Sequence, residues 1–178
     1  MHKTVALAIS QGIIRYEDTP KGRCVVYIQC GHRKQPVGNA EEWVRLMAYL
    51  QLILRSGYPP ERVAVEFPIK MGSSYRYADI VVFEDNEQQK PFIVVECKRE
   101  EATPKIIEEG IKQGQSYMKQ AGGQYLWVTS GEHGSNYFFE YDNTRFYAIH
   151  ALPEFGTQQQ IGYILRKKIA AIWARLRE

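Results

Sequence analysis

The chain has 178 residues, which is enough for one domain of ordinary size with a buried core. Its hydrophobic content of 44% and its charged content of 24% are typical of globular proteins and exclude a disordered chain. The net charge of +3 permits an acidic partner but is too small to indicate nucleic acid by itself.

The first elements are an irregular N-terminal extension and a helix. We predict that residues 1–38 form the extension, with one strand at residues 23–30 and turns at residues 19–22 and 35–38. Asn39 is a good N-cap for a helix over residues 40–56, because Gly and Pro follow and apolar residues recur at helical spacing.

Three strands and a second helix come next. Residues 63–69, 75–83 and 92–98 are rich in strand-forming residues and are separated by polar turns. Residues 104–121 then predict a helix, with Pro104 at its first position and two glycines after its end.

The last predicted elements are two strands and an amphipathic helix. The strands span residues 124–129 and 136–141, and the helix spans residues 158–177. This order predicts an α/β fold with a mixed central β-sheet flanked by helices. We assign three regions: the extension at 1–38, a core at 39–142, and a C-terminal extension at 143–178.

Cysteine and hydropathy patterns indicate the compartment. The chain has three cysteines without a CxxC pair, which favours a reducing environment over a disulfide scaffold. No segment approaches the roughly 18 apolar residues that a membrane span needs, and the N-terminus makes a poor signal peptide. We therefore expect a cytoplasmic protein that does not contact a membrane.

The strands at 75–83 and 92–98 predict a β-hairpin that brings two carboxylates together. With arms of equal length, Asp79 lies opposite Glu96, and the side chains are then about 5 Å apart. Strand periodicity puts Phe92, Val94, Glu96 and Lys98 on one face and Ile93, Val95 and Cys97 on the other. Two carboxylates at this separation can share one cation, for which Mg²⁺ is the natural choice and Mn²⁺ a substitute.

The chain resembles the N-terminal nuclease domain of type I restriction enzyme R subunits, a member of the PD-(D/E)xK nuclease superfamily. The resemblance covers residues 40–142 and is most specific in RYADIVVF, VVECKR and the later QGQSY. It implies a restriction-endonuclease-like core in which Asp79 and Glu96 bind the metal and Lys98 is the catalytic lysine. Gln113 and Tyr117 match a QxxxY element that helps to hold DNA.

Two departures accompany the resemblance. Ala78 replaces the proline of the motif's name, and the chain has no GxxxxGK[ST] phosphate loop for a helicase motor. The chain is therefore expected to be a stand-alone relative or the N-terminal piece of a longer protein.

Three further groups are candidate metal ligands. The backbone carbonyl of Cys97 is next to Glu96. Glu42 lies on the inward face of the first helix, although a glutamate three residues after Asn39 can instead cap its own helix. Glu66 is in the middle of a neighbouring strand, and its side-chain direction is left open.

These features predict a Mg²⁺-dependent DNA endonuclease in which Lys98 holds or deprotonates the attacking water or stabilises charge on the phosphate. The expected partners are DNA and the helicase, specificity or methylation subunits of a restriction complex. The alternative is a catalytically weak module with a nuclease fold that binds nucleic acid or docks a partner subunit. A third option is an assembly domain whose interface is the C-terminal helix.

Overall fold

The computed structural model describes residues 2–20, 22–31, 33–36 and 38–156. The amphipathic helix expected at residues 158–177 lies outside the described residues. The helices and strands are, in chain order, α1 (Lys3–Ser10), β1 (Ile14–Thr19), β2 (Gly22–Tyr27), β3 (Arg33–Pro36), α2 (Ala40–Leu54), β4 (Val63–Met71), β5 (Ser74–Phe83), β6 (Pro91–Cys97), α3 (Pro104–Ala121), β7 (Tyr125–Thr129), β8 (Asn136–Tyr141) and β9 (Phe146–Ile149).

A mixed six-stranded sheet with the order β4-β5-β6-β7-β8-β9 forms the centre of the fold. The β4, β5 and β6 strands form an antiparallel meander, and α3 then crosses over so that β7 pairs with β6 in parallel. The predicted α/β class is confirmed, and the architecture is consistent with a restriction-endonuclease-like core. Within the described residues, no helix is long and apolar enough to cross a membrane.

Local sequence signals account for the two helices of the core. The Asn39 side chain accepts a hydrogen bond from the Glu41 amide at 3.0 Å and begins α2. Thr103 caps α3, Pro104 occupies its first turn, and Gly122 ends it in the left-handed conformation with φ of 77°. Both helix starts are those predicted, whereas α2 ends slightly before the predicted boundary.

The prediction for the N-terminal region was wrong. Residues 1–38 were expected to be irregular with one strand, but they contain α1 and the antiparallel sheet β1-β2-β3. The single predicted strand corresponds to β2, and the turn expected at 35–38 overlaps β3. The strand β1, with the sequence IRYEDT, has only two apolar residues among three charged ones, and this alternation is too short to identify a strand. The strand β9 was also missed.

The central sheet has a hydrophobic cluster on each face. One cluster joins α2, Tyr27 of the N-terminal sheet and residues such as Ile80, Ile93 and Val95. The other lies under α3 and includes Val81 and Val94, among others. Helix α2 is therefore covered on two sides, which explains why it buries eight of its fifteen residues. Phe92 belongs to the α2 cluster, so the face predicted for it was wrong; it precedes the regular β6–β7 pairs and packs on Tyr125.

The alternation of side chains along β4 between the two faces of the sheet is interrupted at Glu66, which has a positive φ of 51°. Before it, Val65 belongs to the α2 cluster; after it, Phe67 and Ile69 contact the α3 cluster. Residue pairing with β5 continues in one register on either side, from Val65↔Ile80 to Phe67↔Ala78. A left-handed conformation at a glutamate is strained, and such positions cluster at functional sites.

Candidate active site

Asp79 lies near the middle of β5 and is almost completely buried, with 8% of its surface exposed. Its Oδ2 accepts a hydrogen bond from the Cys97 amide at 2.7 Å, which ties β5 to the end of β6. The predicted hairpin register is observed in the pairs Ile80↔Val95 and Val81↔Val94. The described pairs end at Ile80 and Val95, one step before Asp79 and Glu96. At that step Glu66, with its positive φ, lies opposite Asp79, and the Asp79 carboxylate contacts Arg45 of α2.

Glu96 and Lys98 form an ion pair near Asp79. The Lys98 Nζ donates to Glu96 Oε1 at 2.7 Å, and only 2% of the Glu96 side chain is exposed. The second carboxylate oxygen, Oε2, is buried and has no hydrogen-bond partner among the described residues. Burial, together with the negative charge of Asp79, raises the pKa of Glu96 to about 8 despite the opposing effect of Lys98.

The Lys98 ammonium is held as a cation. Burial lowers its pKa, but the Glu96 carboxylate raises that pKa more, through its charge and its hydrogen bond. The result is a pKa above the ordinary value for lysine. Lys98 therefore contributes positive charge to the site in this arrangement.

Helix α3 supplies the rest of the Lys98 environment. Lys98 Nζ donates to Gln113 Oε1 at 3.4 Å, and Gln113 Nε2 donates to the Tyr117 hydroxyl at 3.1 Å. A Cβ atom added at Gly110 would lie 2.9 Å from Lys98 Cε, so the absence of a side chain there makes room for the lysine. The structure thus brings Gln113 and Tyr117 next to the predicted catalytic lysine.

Arg45 of α2 is the main site residue that sequence reasoning missed. Its Nη2 and Nε donate to Asp79 Oδ1 at 2.6 and 3.1 Å, and its Nη1 donates to Glu42 Oε2. The Glu66 carboxylate is 3.6 Å from the same Nη1. Burial lowers the pKa of Arg45, but Asp79 and Glu42 together raise it by more, so the pKa lies above the ordinary value for arginine. The guanidinium remains charged.

A signal for Arg45 was present in the sequence. Glu42 was recognised as an inward-facing carboxylate, and such a group needs a charged or hydrogen-bonding partner. Arg45 follows three residues later on the same helix face, which is the spacing of an ion pair.

Glu42 and Glu66 therefore belong to an acidic cluster, which we define as Glu42, Glu66 and Asp79 around Arg45. Glu42 does not form the capping box considered from the sequence, because it accepts from Arg45 and from the Tyr27 hydroxyl, the latter at 2.6 Å. Burial raises the pKa of Glu42 to about 7, although Arg45 and Tyr27 oppose this. Glu41, not considered from the sequence, lies close enough for its charge to raise the pKa of Glu96.

The donor set fits a divalent cation only in part. Buried carboxylates of Asp79 and Glu96, with one unpartnered oxygen on Glu96, are chemically suited to Mg²⁺, which needs few protein ligands. Among the described residues, however, no three His, Cys, Asp or Glu side chains are already grouped around one metal position. Glu42, Glu66 and Asp79 instead contact Arg45. A cation bound at Asp79 would have to replace or share the Arg45 contact.

Comparison with known proteins gives one family. A family model described as the type I restriction enzyme R protein N terminus matches residues 40–153. The match begins at the first residue of α2 and extends past β9, so it includes Arg45, Asp79, Glu96, Lys98 and Gln113. No curated protein matches the chain.

Proposed function

The chain belongs to the family of the type I restriction enzyme R protein N terminus, and from this premise we propose that it is a metal-dependent endonuclease domain that hydrolyses DNA phosphodiester bonds. Membership makes it a nuclease-like domain of restriction enzymes. The proposal adds catalysis, with Asp79 and Glu96 as metal ligands and Lys98 as the catalytic lysine.

The observation that carries the proposal is the buried Glu96 carboxylate beside Asp79. One Glu96 oxygen binds Lys98 and the other has no partner among the described residues, which is a costly state for a buried acid. Asp79 adds a second negative charge and raises the pKa of Glu96. A divalent cation between the two side chains would give the free Glu96 oxygen a partner and would neutralise the repulsion between the two carboxylates. The arrangement therefore favours metal binding.

The backbone of Cys97 supports the same position. Its amide donates to Asp79, and in an extended strand the amide and carbonyl of one residue point to the same side. We therefore keep the Cys97 carbonyl as a proposed third ligand. A bound Mg²⁺ would supply an activated water and charge stabilisation on the phosphate.

Lys98 and helix α3 would act on the substrate. As a cation 2.7 Å from Glu96, Lys98 can hold a water or stabilise negative charge on the phosphate at the metal position. This arrangement favours those two roles over deprotonation of the water. Gln113 keeps the lysine oriented, and Tyr117 in turn bonds Gln113. Gln113 thus positions Lys98, and Tyr117, which is buried with 8% of its surface exposed, supports Gln113, so only Gln113 of the pair is proposed to contact DNA.

The test is cleavage of supercoiled plasmid DNA with Mg²⁺ by the wild type and by Lys98→Ala. We expect the substitution to slow cleavage about 100-fold or more, the usual cost of removing a charge-stabilising group. The matched control is Lys112→Ala, which removes an exposed lysine of α3 paired with Glu108 and should leave cleavage unchanged. Equal cleavage by the wild type and Lys98→Ala would refute the role of Lys98.

A second candidate function is a module that binds nucleic acid or docks a partner subunit with little catalysis. The observation that favours it is Arg45, which already neutralises Asp79. The two functions differ in metal affinity. If Mg²⁺ or Mn²⁺ binding is absent, or if Asp79→Ala leaves it intact, the binding module is the better description.

The family also suggests the setting of the domain. Type I restriction enzymes are multisubunit complexes that act on DNA. We propose that helicase, specificity and methylation subunits are partners of this chain.

A further inference from the structure

The β4–β5 hairpin continues past the candidate active site and exposes an aromatic and basic face. In residues 67–78, Tyr75 and Tyr77 are 61% and 56% exposed, and they are the two most exposed large hydrophobic residues of the described chain. The register pairs Lys70 with Tyr75 and Pro68 with Tyr77. Directly opposed residues share a face of the sheet, so these four side chains lie together.

The bend at Glu66 is what separates this face from the core. After Glu66, Phe67, Ile69 and Ala78 contact the cluster under α3, so the alternate residues of both strands point away from that helix. Asp79 is next to Ala78 and contacts Arg45 of α2. Asp79, Tyr77 and Tyr75 therefore follow one another along one face of β5.

We propose that this hairpin face, which we define as Pro68, Lys70, Tyr75 and Tyr77, is a nucleobase-stacking platform that binds an unpaired DNA strand next to the active site. The inference rests on the proposed nuclease function, since it names the form of the substrate at that site. Exposed tyrosines offer flat surfaces on which bases of any sequence stack. No hydrogen bond or ring contact joins the side chain of Tyr75 or Tyr77 to another described residue.

Spacing favours single-stranded over double-stranded DNA. Alternate residues of a strand are about 7 Å apart, roughly twice the 3.4 Å step between stacked bases of a duplex. Neighbouring duplex bases therefore cannot each cover one tyrosine, and both of their faces are already stacked. Bases of an extended single strand can separate to match the spacing.

Charge complementarity supports the same ligand. Residues 67–78 contain Lys70 and Arg76 and no acidic residue. Lys70 lies on the hairpin face, whereas Arg76 pairs with Ile69 and points to the opposite face. Lys70 forms no ion pair within the described part of the chain, so it can contact a phosphate. The platform begins two residues from Asp79, which places a bound strand about 7 Å along β5 from the candidate metal position.

The test is fluorescence anisotropy with a labelled oligothymidylate of about 15 nucleotides, in EDTA so that no metal or cleavage contributes. We expect the double variant Tyr75→Ala/Tyr77→Ala to bind about 10-fold more weakly or worse, because each stacked base is lost. The double variant Tyr75→Phe/Tyr77→Phe should bind like the wild type, since a phenyl ring still stacks. Tyr137→Ala is the matched control, because Tyr137 is 44% exposed on β8 of the same sheet.

Three results would overturn the platform. They are wild-type affinity in the Ala double variant, equal loss in the Phe and Ala double variants, and no oligothymidylate binding by the wild type. A partner protein would then be the better occupant of the face. Circular dichroism establishes that each variant is folded. Because the assay contains no metal, its failure is distinct from failure of metal binding or plasmid cleavage.

Discussion

At the scale of single residues, the site is governed by one arginine among several carboxylates. The sequence identified Asp79, Glu96 and Lys98 because carboxylates next to apolar strand residues are conspicuous. It did not identify Arg45, although the Glu42–Arg45 spacing was a local signal, because only the tertiary contact between α2 and the middle of β5 brings the arginine to Asp79. Arg45 fixes where Asp79 points, and it defines the metal-free state of the site.

Replacing Arg45 with glutamine should separate its structural role from its competition with a metal. In EDTA, we expect the free energy of unfolding to fall by about 3 kcal/mol, because the buried acidic cluster loses its counter-charge. Saturating Mn²⁺ should then raise the melting temperature of Arg45→Gln by more than it raises that of the wild type, because Asp79 is no longer occupied. Thermal unfolding followed by circular dichroism measures both quantities.

The control for that experiment is Arg23→Gln, which breaks an ion pair with Asp18 on the exposed part of the N-terminal sheet. Its melting temperature should be that of the wild type in both conditions. If Arg45→Gln instead abolished the response to Mn²⁺, Arg45 would support the metal site and would not compete with the ion.

At the scale of elements, the packing of α3 on the sheet sets the position of Lys98. Gly110 faces Lys98 and Val128, whereas Gly114 faces Leu126 in the core, where an added Cβ would lie 2.6 Å from Leu126 Cδ1. Because Gly110 contacts the candidate site and Gly114 contacts the core, alanine substitutions at these two glycines form a matched pair.

We expect Gly114→Ala to lower the free energy of unfolding by about 1–3 kcal/mol, the range for overpacking a core. Gly110→Ala should change stability little, because the flexible end of Lys98 can move and alanine favours the helix. It should nevertheless slow Mg²⁺-dependent cleavage by roughly 10-fold or more, since small displacements of catalytic groups are costly. Urea unfolding and plasmid cleavage measure the two effects. Wild-type cleavage by a folded Gly110→Ala would mean that α3 does not position Lys98.

Most core elements could be predicted from sequence, and the reasons are local. The hairpin register followed from two apolar strands around one polar turn, and α3 from Thr103, Pro104 and Gly122. The positive φ at Glu66 could not be predicted, because no glycine or asparagine marks it. The change of side-chain direction at that residue accompanies the contact of Asp79 with Arg45 and the exposure of Tyr75 and Tyr77, so an important feature of the site was hidden from sequence patterns.

At the scale of the whole molecule, α2 is buried between the N-terminal sheet and the central sheet. The Tyr27 ring packs against Tyr49 at 4.9 Å, and the Tyr27 hydroxyl binds Glu42 of the acidic cluster. The N-terminal region was predicted as an irregular extension because its strands are short and charged. Its contacts with α2 depend on residues distant in sequence, which local patterns do not report. The region thus contributes directly to the environment of the site.

The central claim is that Asp79 and Glu96 form a divalent metal site, and Mn²⁺ titration of the metal-free chain by calorimetry tests it most directly. The proposed ligand is the Glu96 carboxylate, whose pKa is raised to about 8, so affinity should increase from about pH 6 to about pH 8 and level off above that. We predict one bound ion for the wild type and none for Glu96→Gln at either pH. Equal Mn²⁺ affinity in the wild type and Glu96→Gln would contradict the account.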